Sequence, residues 1–266
     1  MASFSVVNNV ASMNAQANLT VSNLGLNRAL TRLSSGLRIN NSGDDAAGLA
    51  VANGYRADVA DLTQGIRNGN DGLSSLQIVD GALNNISTLL DRLATLASQS
   101  ASTNFSGDRG VMDAEFGAVL AEIDREAGIA NLTAVMNFSV FVGGSAATGT
   151  IAGTINAADS TALAINASTI DTAANAATAL AAVKTAVGTL GDVQGSVGSL
   201  ENTMQYAISL AQTQAVNIKA AESRIRDANV AEESANMTRF NILTQSGVAA
   251  LAQANQSTSA VLNLLR

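Results

Sequence analysis

The chain has 266 residues, a net charge of −7 and 47% hydrophobic but only 3% aromatic residues, with no proline, cysteine, tryptophan or histidine. Without cysteine, disulfides and thiolate metal sites are excluded, and without histidine the commonest general base and metal ligand are missing. The basic residues are scattered and form no nucleic-acid patch, and no apolar run is long enough to span a membrane.

The first predicted helix carries Leu19, Leu26, Leu30, Leu33 and Leu37, spaced as a coiled-coil seam. It stops at Arg38-Ile-Asn-Asn-Ser-Gly43, where glycine and two asparagines make a turn. A second helix is expected from Ser42, with Asp45 three residues on completing a capping box. Its seam runs through Val59, Leu62, Ile66, Leu73 and Leu76, then resumes after a slip near Val79 at Leu83, Ile86, Leu90, Leu93 and Ala97. The glycines at 48, 54, 65, 69, 72 and 81 each cost roughly 1 kcal/mol against alanine in an isolated helix, so packing must hold this one together.

Residues 100–110 form a polar loop, and a third helix spans about 111–127 with Phe116, Val119 and Ile123 on one face. Phe138, Val140 and Val142 then alternate before a turn at Gly143-Gly144, and residues 150–156 and 163–166 suggest further short strands. An Ala-rich short helix is expected over 173–185. A long helix then starts near Leu190, with Val193, Val197, Leu200, Met204, Ala207, Ala211, Gln214, Ile218, Ala221 and Ile225 in heptad spacing. After a joint at Asp227-Ala-Asn229, a final helix runs from about Glu232 to Leu265, with Met237, Leu243, Val248, Leu251, Val261 and Leu265 apolar.

The fold class is therefore mainly α: long antiparallel helices from the two ends form coiled-coil bundles, with a small β-hairpin-rich central region that projects. Each terminal seam is exposed unless it meets a partner, and the economical partner is the other end of the chain.

The stretch Arg32-Leu-Ser-Ser-Gly-Leu-Arg-Ile-Asn-Asn-Ser-Gly-Asp-Asp-Ala-Ala-Gly-Leu-Ala50 resembles the N-terminal signature of bacterial flagellins, and Gly65-Ile-Arg-Asn-Gly-Asn-Asp-Gly-Leu73 continues it. Ala221-Glu-Ser-Arg-Ile-Arg-Asp-Ala-Asn229, Glu233-Ser-Ala-Asn-Met-Thr-Arg239, Ile242-Leu-Thr-Gln-Ser-Gly247, Leu251-Ala-Gln-Ala-Asn255 and Val261-Leu-Asn-Leu-Leu-Arg266 resemble the C-terminal one. Departures are Ser257-Thr258 where the family often has proline, and Gly128-Ile-Ala-Asn-Leu-Thr where Phe-Asn-Gly is usual.

The resemblance implies a subunit that polymerises into the flagellar filament, with terminal helices that fold on assembly. It implies a filament-core domain from residues 1–41 and 228–266, with Leu26, Leu30, Leu33, Leu37, Leu251, Val261 and Leu265 in its seam. An outer-tube bundle would come from 42–134 and 188–227, and a short variable solvent-exposed segment from 135–187. The partners implied are further copies of the chain, the flagellar export apparatus, an export chaperone, the filament cap and hook-associated junction proteins. The location implied is extracellular, reached without a cleaved signal peptide; the first residues lack a basic stretch followed by an apolar one. No cofactor, nucleic acid or membrane insertion is implied. A hook-filament junction protein is the alternative.

Residues 90–99 look like the flagellin segment recognised by Toll-like receptor five, with Arg92, Leu96 and Gln99 matching and Glu115 on the next helix a further contact. The plainer reading makes Leu96 an interface residue and Arg92 with Glu115 an ordinary ion pair. Asp44 and Asp45 are weighed as a paired-carboxylate site and assigned to capping. The Asn-x-Ser/Thr triplets at Asn131, Asn137 and Asn166 are chance in so Asn-rich a chain. Residues 135–187 hold only Asp159, Asp171 and Lys184 as charged groups, which leaves no catalytic set. A lipid-binding amphipathic helix would need flanking aromatics that the chain lacks.

Overall fold

The computed structural model describes residues 8–144 and 149–264, with side chains through residue 256. Among the described residues there are five helices and one hairpin: α1 (Val10–Ser35), α2 (Ala46–Ser100), α3 (Arg109–Ile129), β1 (Met136–Phe141), β2 (Thr150–Ile155), α4 (Ala173–Arg226) and α5 (Val230–Leu264). The fold is mainly α with one two-stranded antiparallel sheet. It divides into two compact units, one of residues 1–57 and 218–266, the other of residues 58–217.

In the first unit α1 pairs with α5. Asn9 caps α1 by accepting from the Ser12 N–H, and Gly36 ends it in the left-handed region at φ 71°. The Leu37 end of the expected seam therefore lies beyond the helix, in a bridge with Asp227. The inward positions of α1 are Ser12, Ala15, Leu19, Ser22, Leu26, Ala29, Leu33 and Gly36, an unbroken three-four alternation. Leu30 is not among them. Ala29 takes that place at 2% exposure, and Leu30 is 45% exposed.

The start of α2 also departs from expectation. Asp44 folds back on its own turn, accepting from the Asn40 and Asn41 N–H groups at 3.2 and 3.1 Å. Asp45 is the cap itself, accepting from Gly48 N–H at 2.9 Å, and Ser42 stays in the preceding turn. The box fails because the turn at residues 41–44 ends one residue before the helix, so only a side chain at 45 reaches its first free N–H groups.

In the second unit the seam of α2 runs through the buried Leu62, Gly65, Gly69, Gly72, Leu76, Val79, Leu83, Ile86, Leu90, Leu93, Ala97 and Ser100, with Ala82 and Leu96 buried beside it. No slip occurs at Val79. Three glycines occupy heptad positions where a search for large apolar residues sees a gap. They are filled from outside: Gly69 meets Ile208 and Met204, and Gly72 meets Val140 and Phe138. The glycines lower helix propensity but let neighbouring chain come close, which offsets their cost through packing.

The seam of α4 is likewise continuous from Ala176 through Ala179, Val183, Ala186, Leu190, Val193, Val197, Leu200 and Met204. The separately expected helix over 173–185 is thus the first part of one 54-residue helix. Gly188 and Gly191 lie off this seam, where no partner constrains them. Met112, Phe116, Leu120, Ile123 and Ala127 of α3 complete the core. Each fully buried Leu, Ile or Phe contributes about 1.5–3 kcal/mol by burial.

Residues 135–144 and 149–187 do not project free of the helices. The hairpin rests on α2 through Phe138, Val140 and Val142, and Gly153 of β2 sits against Leu200. The expected strand at 163–166 is a turn, closed by Ile165 and Asn166 N–H groups on the Ser160 carbonyl. Its apolar residues pack downward: Leu163, Ile165 and Ile170 are buried. Two carboxylates of α3 tie the segment down. Asp124 accepts from Ser160 N–H at 2.7 Å and from its hydroxyl at 3.0 Å, and Asp113 accepts from Ile170 N–H at 2.7 Å.

The sequence Gly128-Ile-Ala-Asn-Leu-Thr ends α3 with Asn131 in the left-handed region at φ 57°. Leu132 N–H reaches back to the Ala127 carbonyl and Asn131 N–H to Gly128, an asparagine version of the glycine helix stop.

Candidate assembly surfaces

Among the described residues no group of three or more acidic side chains is placed to hold a metal ion, and no helix is long and apolar enough to cross a membrane.

In the first unit the paired faces of α1 and α5 are thin. The inward positions of α5 are Glu233, Met237, Phe240, Thr244, Gly247, Leu251 and Ala254, alternating by four and three. Of the residues expected on the core seam, Leu26, Leu33 and Leu251 are half-buried between the helices. The side chain of Val261 and all of Leu265 lie outside the described residues. Leu243 and Val248 turn away from α1 and are exposed.

That pairing leaves a second apolar stripe uncovered. On α1, Val10, Met13, Ala17, Val21 and Leu24 are all exposed and recur every three or four residues. Val21 is 67% exposed and Leu24 53%. On α5, Val230, Ile242, Leu243 and Val248 are exposed as well. So much large apolar surface in one helix pair marks a place where further protein packs.

The second unit carries its own open surface. Val142 N–H donates to the Gly149 carbonyl, which sets the alternation of the hairpin ladder and points the backbone groups of Asn137, Ser139 and Phe141 away from β2. The Asn68 amide donates to the Phe141 carbonyl on that free edge at 3.2 Å. A groove of about 760 Å³ follows β1 beside α2, flanked by Ile78 and Ile129, which are 63% and 59% exposed.

Arg92 and Glu115 meet across α2 and α3. The Arg92 Nε donates to Glu115 Oε1 at 3.1 Å, and a second guanidinium nitrogen contacts the same oxygen. Both side chains are about half exposed, so the pair adds only ~0–1 kcal/mol. Gln99 is exposed too. Leu96 is 3% exposed and supports this patch from beneath, without lining it. On the same α3 face Arg125 bridges Glu122 and Glu126, and that guanidinium holds the Glu122 carboxyl below its ordinary range.

Sequence reasoning passed over the residues that join the two terminal helices. Arg32 Nη1 contacts Glu233 Oε1 at 3.1 Å, and Glu233 is only 8% exposed. Phe240 lies over Gly25, and Leu19 over Gly247. The signal was available: Glu233 and Gly247 fall in the heptad frame of α5, whose other inward positions are mostly apolar or small, and Gly25 stands beside the inward Leu26 of α1.

These features define a class: a chain whose two ends pair with each other into long coiled coils and leave apolar stripes for further copies. The comparisons with known proteins name the family. The bacterial flagellin N-terminal helical region matches residues 6–143, and the bacterial flagellin C-terminal helical region matches residues 180–265. A flagellin of Halalkalibacterium halodurans is 35% identical over 97% of this chain and 98% of its own length. A Salmonella typhimurium flagellin is 50% identical over 45% of this chain but only 24% of its own length, so the chain matches about a quarter of that relative. A crystal structure of Bacillus cereus flagellin aligns with a TM-score of 0.47 at 28% identity, covering 59% of this chain and 94% of that one. The chain belongs to the bacterial flagellin family, the structural subunits of the flagellar filament. The hook-filament junction alternative gains no support from these relatives.

Proposed function

We propose that this chain is the repeating subunit of an extracellular flagellar filament, and that α1 and α5 become ordered only as each copy is added. The uncovered stripe of Val10, Met13, Val21 and Leu24 carries this reading. A helix pair whose inward face includes Ser12, Ala15, Ser22, Ala29 and Gly247 buries too little to hold two long helices by itself. Burial of the second stripe against neighbouring copies would offset the entropy of ordering. Contacts that do not close on themselves propagate a helix of subunits rather than a ring.

In this reading residues 1–41 and 228–266 line the filament core, and residues 42–134 and 188–227 form the surrounding tube. The chain leaves the cell through the flagellar export apparatus, escorted by a chaperone and added under a cap above hook-associated junction proteins. Hydrogen exchange tests the folding step. Amides of α1 and α5 should exchange freely in the monomer and be protected in the filament, whereas equal protection in both states would contradict it.

The exposed patch of Arg92, Gln99 and Glu115 also fits recognition of the monomer by Toll-like receptor five, with Leu96 acting only as support. A reporter-cell response to monomer that falls with Arg92→Ala supports this, and an unchanged response counts against it.

A further inference from the structure

We propose that three matched contacts fix the register in which α1 and α5 pair: Arg32 with Glu233, Gly25 with Phe240, and Leu19 with Gly247. The first two belong to neighbouring heptads of the same antiparallel alignment, and the third lies one further heptad along. The alignment continues at the far end, where the Ser12 hydroxyl donates to Asn255 Oδ1 at 2.9 Å and the Asn9 amide donates to the Ala254 carbonyl at 2.9 Å.

Such a device is needed because the rest of the seam is permissive. The other inward positions of both helices hold only Ser, Thr, Ala, Gly, Leu or Met, and a shift by one heptad replaces seam residues by seam residues. The three contacts resist that shift. If α5 slides one heptad one way, Phe240 moves from Gly25 to Asn18 and Glu233 moves from Arg32 to Gly25. If it slides the other way, Phe240 lands on Arg32 and Glu233 passes the end of α1. The penalties are an aromatic ring set on a side chain in place of a glycine, and a buried carboxylate moved off Arg32. In the native alignment a Cβ on Gly25 would lie 2.5 Å from the Phe240 ring, so the fit has no spare room.

The chain has no cysteine, which permits a direct test by disulfide trapping in polymerised protein. A Ser12→Cys, Asn255→Cys chain reports the native register, and a Ser12→Cys, Val248→Cys chain reports a one-heptad shift. With the native pair intact the first should cross-link at least tenfold more than the second, the bias that about 1.4 kcal/mol imposes. Glu233→Arg should collapse that preference or prevent polymerisation, and adding Arg32→Glu should restore both. Rescue by the swapped pair is what a merely structural glutamate would not give. A native preference unchanged by Glu233→Arg, or a swapped pair that fails to restore it, overturns the proposal. This inference rests on the filament reading only for its assay state. A parent chain that never polymerises contradicts that reading, while one that polymerises and cross-links equally at both positions contradicts the register device.

Discussion

Gly65 lies directly beneath Val142: a Cβ at position 65 would stand 1.9 Å from the Val142 carbonyl oxygen. The hairpin is thus seated on α2 by backbone against backbone, where no side chain can swing aside. Gly65→Ala must lift the hairpin, and we expect a loss of about 3 kcal/mol in chemical denaturation of the second unit, the upper range for overpacking. Gly81 sits in the same helix with nothing within 4 Å, so Gly81→Ala should instead stabilise by about 1 kcal/mol. Equal effects at the two positions would contradict the seating of the hairpin.

Asp124 and Ser160 give a second stability test. Ser160 is buried, and both its N–H and its hydroxyl donate to the Asp124 carboxylate. Asp124→Ala leaves two buried donors unpaired, which costs about 2 kcal/mol or more. The same denaturation measurement should show Asp124→Asn less damaging, because an amide oxygen can still accept. A wild-type midpoint for Asp124→Ala would mean that the 156–172 segment is not tied to α3.

These two contacts show where the sequence was legible and where it was not. Helical type, both coiled-coil ends and the β character of residues 136–141 and 150–155 follow from spacing, because large apolar residues recur at helical or alternate positions. The continuous seam of α2 did not show, because Gly65, Gly69 and Gly72 carry no hydrophobic signal; their partners come from residues 138–142 and 204–208, distant in sequence. The packed course of 156–172 was hidden for a similar reason, since its ties are backbone N–H groups of Ser160 and Ile170 on Asp124 and Asp113, which no side-chain pattern reveals. Leu30 was misread because one leucine every three or four residues fits two adjacent stripes, and Ala29 occupies the inner one.

Asp44 makes a pH-dependent contribution. The Asn41 N–H, then the Asn40 N–H, hold its carboxyl below the ordinary aspartate range. A depressed folded value means that the stabilisation is present above the unfolded value of about 3.9 and is lost as pH falls through the lower folded one. The stability gap between the parent and Asp44→Asn, followed by denaturation across that range, should be constant near neutrality and close in acid. A gap that widens in acid would reverse the assigned sign.

The exposed stripe of α1 separates folding from assembly. Val21→Ser with Leu24→Ser removes apolar surface that the isolated chain does not bury. The second unit should unfold as before, while the critical concentration for polymerisation rises tenfold or more, since burying one such side chain contributes about 1.5–3 kcal/mol. Unchanged polymerisation would place the intersubunit contact elsewhere.

The most direct test of the filament reading is electron microscopy of purified chain after seeding with short filament fragments. The account predicts long filaments that grow from the seeds, contain this chain along their full length and fail to elongate with the Val21→Ser, Leu24→Ser variant. A parent chain that stays monomeric beside intact seeds would contradict it.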